Sequence, residues 1–138
     1  MKYNSIMERD IKNILSISKD DINNIILHID ELERDKEEIE EELGKTQALI
    51  LNLSQNLYKI SYKINACDSY MEECVNNEEM LKNTENFIIK IKERSTLELE
   101  KDDLFKKKLV LDKNEELLIE AKKKIEKDLK ELQKYKYS

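Results

Sequence analysis

Apolar residues recur along the first half of this chain at alternating steps of three and four positions. The series is unbroken from residue 22 to residue 74, and Lys36 and Thr46 are its only polar members. Its other members are Ile22, Ile25, Ile29, Leu32, Ile39, Leu43, Ile50, Leu53, Leu57, Ile60, Ile64, Cys67, Met71 and Cys74. This is the a/d spacing of a helix that buries one stripe of side chains against another helix. We call this stripe of a and d positions the seam. We therefore predict a long helix here.

A second apolar series occupies the other half of the chain and is weaker. Its members recur every seven residues and are Leu97, Leu104, Leu111, Leu118, Ile125 and Leu132. Ala121 and Tyr135 fall at intervening d positions, but the other d positions hold polar residues: Glu100, Lys107, Asn114 and Asp128. The pattern predicts a second long helix whose seam is only partly apolar.

The heptad phase is lost at residues 75–79, which marks the expected chain reversal near Asn76. Either Asn76 or Asn77 can cap a new helix, with Glu78 and Glu79 in its first turn. Folding at this point gives two arms of similar length. The sequence therefore predicts an all-α fold, a long antiparallel helical hairpin or coiled coil.

A compact four-helix bundle is the alternative architecture. It requires breaks at Gly44, the only glycine, and near Asp112, and it would explain the broad apolar surface around Leu57. The heptad keeps its phase across Gly44, however, and a turn has no reason to preserve that phase. We therefore favour a helix that continues through Gly44.

The expected domain organisation is simple. Residues 1–17 form a short amphipathic piece, which we predict to be an N-terminal helical arm. Ser18 is a suitable N-cap for the main helix, with Asp20 and Asp21 in its first turn. Residues 18–138 then form the hairpin or bundle.

The composition supports helices and excludes several other classes. The chain has no proline and one glycine, too few turn residues for a sandwich or barrel, and 41% of its residues are charged. A net charge of −6 makes it a poor general binder of nucleic acid. The pattern shows neither a signal peptide nor a membrane span, so we expect a cytoplasmic protein.

Residues 46–66 form the least charged segment, with Lys59 and Lys63 as its only charges. We expect its seam members Leu53, Leu57 and Ile60 to be core. Outside that seam lie Leu51, Tyr58 and Tyr62, which form our candidate partner interface, because clustered exposed apolar residues often mark an interface. The expected contact is a second copy, another protein, or the N-terminal segment around Ile11 and Leu15.

An acidic run occupies residues 30–42 and contains Glu37, Glu38, Glu41 and Glu42. In a hairpin this run would face residues 111–123, with Lys113 and Lys122 nearby. One interpretation of the four glutamates is a solvated outer surface. The other is an acidic patch that engages a basic surface on another protein.

Catalytic and metal-binding signatures are missing from the sequence. It contains no glycine-rich phosphate loop, nucleophile elbow or HExxH pattern. His28 has no acidic residue three positions before it, and the spacing of Cys67 and Cys74 matches no common zinc pattern. The two cysteines are too far apart on one helix to bond, and we expect them to be buried and reduced. We expect no cofactor, no metal and no enzyme activity.

The sequence thus favours a non-catalytic helical interaction or assembly module, bound to another protein, to itself, or to both. The alternative function is a small acidic inhibitor that occludes a basic or nucleic-acid-binding site on a partner protein. Neither hypothesis requires direct contact with nucleic acid or with a membrane.

Overall fold

A computed structural model of the chain describes residues 22–82 and 84–136. Within these ranges all regular structure is helical. The helices are α1 (Ile22–Asn76), α2 (Glu78–Leu81) and α3 (Thr84–Lys136). The two long helices, α1 and α3, pack against each other as a hairpin. The predicted all-α hairpin is confirmed.

The alternative prediction, a compact four-helix bundle, is wrong. Helix α1 continues through Gly44, which does not adopt a positive φ, and helix α3 continues through Asp112. No proline interrupts either helix, and the heptad phase is kept on both sides of Gly44. A helical glycine costs only about 1 kcal/mol relative to alanine, so the seam contacts on either side are sufficient to hold the helix intact.

Helix α1 ends at Asn76, where the heptad phase is lost. Asn77 follows, and its side-chain Oδ1 accepts a hydrogen bond of 3.0 Å from the backbone N–H of Glu79. This is the expected asparagine N-cap, with Glu78 and Glu79 in the first turn as predicted. The helix that it caps, however, is the four-residue α2, and the second long helix starts separately at Thr84.

The predicted N-terminal arm, residues 1–17, and the predicted helix start at Ser18 lie outside the described residues. The proposed contact of Ile11 and Leu15 with the candidate interface also involves residues outside that range. The division into an arm and a hairpin therefore stays a prediction.

The chain divides into two compact units, and unit 1 contains the larger core. Its described residues are 22–48 on α1 and 113–136 on α3. Nine buried side chains form this core: Ile25, Ile29, Leu32, Ile39, Leu118, Ala121, Ile125, Leu129 and Leu132, with Leu43 packed against them. Most are predicted seam members, so in unit 1 the heptad pattern gives the core directly.

Charged side chains bridge the two helices of unit 1. Lys36, a polar member of the predicted seam, places its Nζ 3.8 Å from Glu126 Oε1 and 4.0 Å from Glu40 Oε1. Lys122 Nζ lies 3.5 Å from the same Glu40 oxygen, as expected. The predicted facing range 111–123 is wrong, however, because Lys36 in the middle of the acidic run contacts Glu126. All these side chains are partly exposed, so each pair contributes less than about 1 kcal/mol.

Unit 1 also buries a carboxylate. Asp128 is 1% exposed, although the sequence marked it only as a polar weakness in the seam. Lys124 Nζ donates to its Oδ1 over 3.0 Å, whereas Oδ2 is buried and has no hydrogen-bond partner among the described residues. Burying a charged oxygen without a partner is unfavourable, so Asp128 is a weak point in an otherwise apolar core.

Unit 2 comprises residues 49–82 and 84–112 as described, and its core is smaller. Ile60, Ile64, Cys67 and Leu97 are buried together, and Leu104 packs against them. The expected burial is confirmed for Ile60 but is wrong for Leu53 and Leu57, which are only half-buried. Leu53 lines an open groove together with Lys107 of α3. Lys107 occupies a d position, and its charged side chain does not cover Leu53 as an apolar one would.

Candidate interaction surface

The outer face of α1 in unit 2 carries the three residues of the candidate interface. We define the outer face as Leu51, Gln55, Tyr58 and Tyr62, which follow one another at steps of four, three and four. A helix turns by about 100° per residue, so these positions lie roughly 160° away from the buried members Ile60 and Ile64. Helix α1 therefore has two heptad faces in unit 2, and only one of them packs on α3.

Exposure of the outer face is high. Leu51, Tyr58 and Tyr62 are 60%, 77% and 71% exposed, and Gln55 is exposed as well. Single exposed apolar residues are common on proteins, but a periodic row of them on one helix face is the pattern of a helix that contacts a further helix. The structure thus brings the three predicted residues together on one accessible surface.

The outer face has no charge of its own. Lys59 and Lys63 are the only charged residues between Leu49 and Ala66, and both lie to one side of the outer face. Tyrosine is well suited to a surface that becomes buried in a complex, because its ring removes apolar area from water while its hydroxyl keeps a hydrogen-bond partner. The chemistry fits contact with an uncharged or aromatic helix surface.

A groove lies beside the same helix in unit 2, and the sequence pattern did not predict it. Its volume is about 400 Å³, and its lining is mostly apolar: Leu49, Asn52, Leu53, Lys107, Val110 and Leu111. The adjacent apolar pair Val110 and Leu111 was the available signal, because only Leu111 belongs to the seam. The groove could accept one or two apolar side chains of a partner.

The acidic patch is Glu37, Glu38, Glu41 and Glu42, and all four residues are exposed on α1 in unit 1. It is partly neutralised within its own helix. Lys45 Nζ lies 3.4 Å from Glu41 Oε1 and 3.9 Å from Glu42 Oε1. Pairing of this kind lowers the negative potential that a basic partner would meet.

A polar cluster in unit 2 surrounds Tyr70 near the end of α1, and sequence reasoning missed it. Lys90 Nζ lies 5.9 Å from the centre of the Tyr70 ring, within the range of a cation–π contact. Burial raises the pKa of the Tyr70 hydroxyl, and a hydrogen bond with Cys74 raises it further. Lys90 Nζ also pairs with Glu93 Oε2 at 3.2 Å, and this hydrogen bond raises the pKa of Lys90.

Arg94 links the two helices next to this cluster. Its Nε donates to Asp68 Oδ1 over 2.5 Å, and its second contact is with Glu98 Oε1 at 3.4 Å. The hydrogen bond to Asp68 raises the pKa of the guanidinium, which stays charged at all physiological pH values. These groups pair with one another, so the cluster holds α1 and α3 in register rather than presenting free reactive atoms.

Residues that could carry chemistry are dispersed in the described part of the chain. His28 is half-buried, with its Nδ1 3.8 Å from Glu31 Oε2. Cys67 and Cys74 are both buried and unbonded, as expected. Among the described residues, no three histidine, cysteine, aspartate or glutamate side chains are grouped closely enough to hold a metal ion.

Nothing in residues 22–82 or 84–136 forms a helix with the length and apolar character needed to span a bilayer. The chain matches no protein-family model, no curated protein and no solved structure. Its function must therefore be inferred from its own surfaces.

Proposed function

We propose that this protein is a non-catalytic helical interaction or assembly module, and that it binds through the outer face of α1 in unit 2. The observation that supports this proposal is the high exposure of Tyr58 and Tyr62 on an uncharged helix face with heptad spacing. A coiled-coil partner with the same repeat would bury both rings. The partner is another protein or a further copy of this chain.

The buried, unbonded thiols of Cys67 and Cys74 are compatible with a reducing compartment. Together with the sequence pattern, they support the proposal that the protein works in the cytoplasm. The high content of charged residues keeps the remaining surface hydrated, so binding is confined to the few apolar faces.

The test replaces the apolar side chains of the outer face. The triple variant Leu51→Ser, Tyr58→Gln, Tyr62→Gln is compared with the wild type in affinity capture from native extract and in size-exclusion chromatography with light scattering. All three residues are exposed, so we expect unchanged helicity by circular dichroism and a loss of every specific association.

A matched control removes similar exposed apolar area from α3 of the same unit. The variant Ile88→Gln, Leu99→Ser, Leu109→Gln changes three exposed residues that lie outside the outer face. Association should survive in this control. If both triple variants behave like the wild type, or if the wild type associates with nothing, the interaction proposal is wrong.

The second candidate function, an acidic inhibitor, is supported by the exposure of all four glutamates of the acidic patch. If this function is correct, reversing Glu37, Glu38, Glu41 and Glu42 to lysine should abolish binding to the basic partner protein. Retained binding in this variant would eliminate the inhibitor hypothesis and leave the outer face as the binding surface. The internal pairing with Lys45 is the reason we rank this function second.

A further inference from the structure

We infer that the partner of the outer face is a second copy of this chain, bound antiparallel, so that α1 of one copy packs on α1 of the other within unit 2. This inference rests on the proposed function and deepens it. The four residues of the outer face, between positions 51 and 62, are all exposed. A helix face with heptad spacing pairs best with a face of the same spacing. The outer face of a second copy has that spacing.

The order of residues on the outer face is self-complementary in an antiparallel pair. With the two-fold axis between Asn56 and Leu57, Leu51 lies opposite Tyr62 of the second copy, and Gln55 lies opposite Tyr58. Each ring then packs on a leucine or on the stem of a glutamine, and the Tyr58 hydroxyl meets an amide that can accept its hydrogen bond. A parallel pair would instead place Tyr58 on Tyr58 and Tyr62 on Tyr62 in successive layers.

Charge also permits this pairing. Lys59 and Lys63 lie along one edge of the outer face, and the antiparallel register brings Lys59 between Asn52 and Asn56 of the second copy. No like charges meet, so the repulsion that usually prevents self-association of charged helices is missing at this site. The acidic patch lies in unit 1, outside the paired segment.

The expected dimer is weak. The paired segment covers residues 51–62, fewer than two heptads, and its contacts come mainly from Leu51, Tyr58 and Tyr62 of each copy. Interfaces of this small size belong to the transient class, with dissociation constants around the micromolar range. Self-association should therefore appear only as the protein concentration rises.

Sedimentation equilibrium on the full chain tests the inference. We expect a monomer–dimer equilibrium in the wild type and in the α3 control variant Ile88→Gln, Leu99→Ser, Leu109→Gln. The variant Leu51→Ser, Tyr58→Gln, Tyr62→Gln should weaken the dimer by about tenfold or more while it keeps its helicity. A dimer that persists in this variant would overturn the inference.

Disulfide trapping tests the register. A mixture of the Leu51→Cys and Tyr62→Cys variants, oxidised with glutathione, should form the mixed disulfide, whereas Tyr62→Cys alone should not form one. The wild type is the control, because Cys67 and Cys74 are buried. A disulfide between two copies of Tyr62→Cys that forms faster than the mixed one would overturn the antiparallel arrangement.

The two proposals fail in different ways. A wild-type chain that stays monomeric up to the highest concentration, but captures a different protein through the outer face, overturns the second-copy inference and leaves the proposed function standing. A monomer that captures nothing through that face overturns both.

Discussion

Units 1 and 2 are built from the same two helices, yet they use their apolar residues in opposite ways. Unit 1 contains the acidic run, and nevertheless it buries a contiguous apolar core of nine side chains. Unit 2 holds most of the least charged segment, but only four side chains are buried together in its core. The exposed residues of unit 2 include Leu51, Tyr58, Tyr62, Leu99 and Leu109.

The difference shows that burial depends on where apolar residues fall around the helix and not on how many there are. In unit 1 the seam residues of α1 meet Leu118, Ala121 and Ile125, which are also seam residues. Unit 1 tolerates the polar seam residues Asn114 and Asp128 because Ala121 and Leu129 complete its core. In unit 2 both d positions of α3 between Leu97 and Leu111 are charged, so apolar residues on α1 lack matching partners. A core that is complete gives stability, whereas apolar residues left outside are available for binding.

The largest expected effect is the loss of stability on truncating a buried core residue of unit 1. Ile29→Ala should lower the free energy of unfolding by about 2–5 kcal/mol, because Ile29 is fully buried in the larger core. Leu57→Ala in unit 2 should cost clearly less, since Leu57 is half-buried. Denaturation by guanidinium, followed by circular dichroism, measures both. Equal losses would contradict the contrast between the two units.

The next effect is a gain in stability at the weak point of unit 1. Asp128→Leu removes the buried oxygen, which has no partner among the described residues, and fills its place with apolar volume, so we expect stabilisation by about 1–4 kcal/mol. The partly exposed Lys124 can turn into water. Thermal melting checks the sign.

A matched variant separates this effect from the loss of the ion pair. Lys124→Met leaves the Asp128 carboxylate buried with neither oxygen paired, and it should destabilise the protein by about 3 kcal/mol or more. If Asp128→Leu destabilises the protein as much as Lys124→Met, the carboxylate contributes a favourable interaction that we have not identified.

A smaller gain is expected at Gly44, in the solvated part of α1. A Cβ atom added there meets no other atom within 4 Å, and the residue is already helical. Gly44→Ala should therefore raise the free energy of unfolding by about 0.5–1 kcal/mol, mainly through the entropy of the unfolded chain. Unfolding by urea gives the value. A loss of stability would mean that the helix needs the glycine as a hinge.

The smallest expected effect concerns the outer surface of unit 1. Reversing Glu37, Glu38, Glu41 and Glu42 to lysine should change the melting temperature little, because exposed charges contribute little to stability. Self-association should also survive. The outer face of unit 2 should respond in the opposite way, with association lost and folding kept. A large drop in melting temperature for the charge reversal would show that these glutamates support unit 1.

Much of the fold follows from the heptad pattern. Phase conserved across Gly44 predicts one continuous helix, and phase lost after Cys74 predicts its end, because a helix buries a fixed stripe only while the spacing lasts. The Asn77 cap follows from the short side chain of asparagine and its preference for that position. The burial of Ile25, Ile29 and Ile39 follows from the same spacing, which repeats on both helices in unit 1.

The candidate site was predicted only in part. Leu51, Tyr58 and Tyr62 were identified because they fall outside the seam, and helical geometry alone puts them on the far side of α1. The groove lined by Leu53 and Val110 was missed, since it exists only where side chains of two helices fail to meet. A one-dimensional pattern gives the direction of a side chain but not the size of its neighbour on another helix.

The sequence by itself determined the two long helices, the end of α1 and the direction in which each side chain points, because these depend on local spacing and capping. The tertiary structure decided which of these side chains are buried. It buried Asp128, which the sequence marked as a weakness, and left Leu57 half-covered, although the sequence marked it as core. Burial is a property of two surfaces together, and only the pairing of α1 with α3 brings those surfaces into contact.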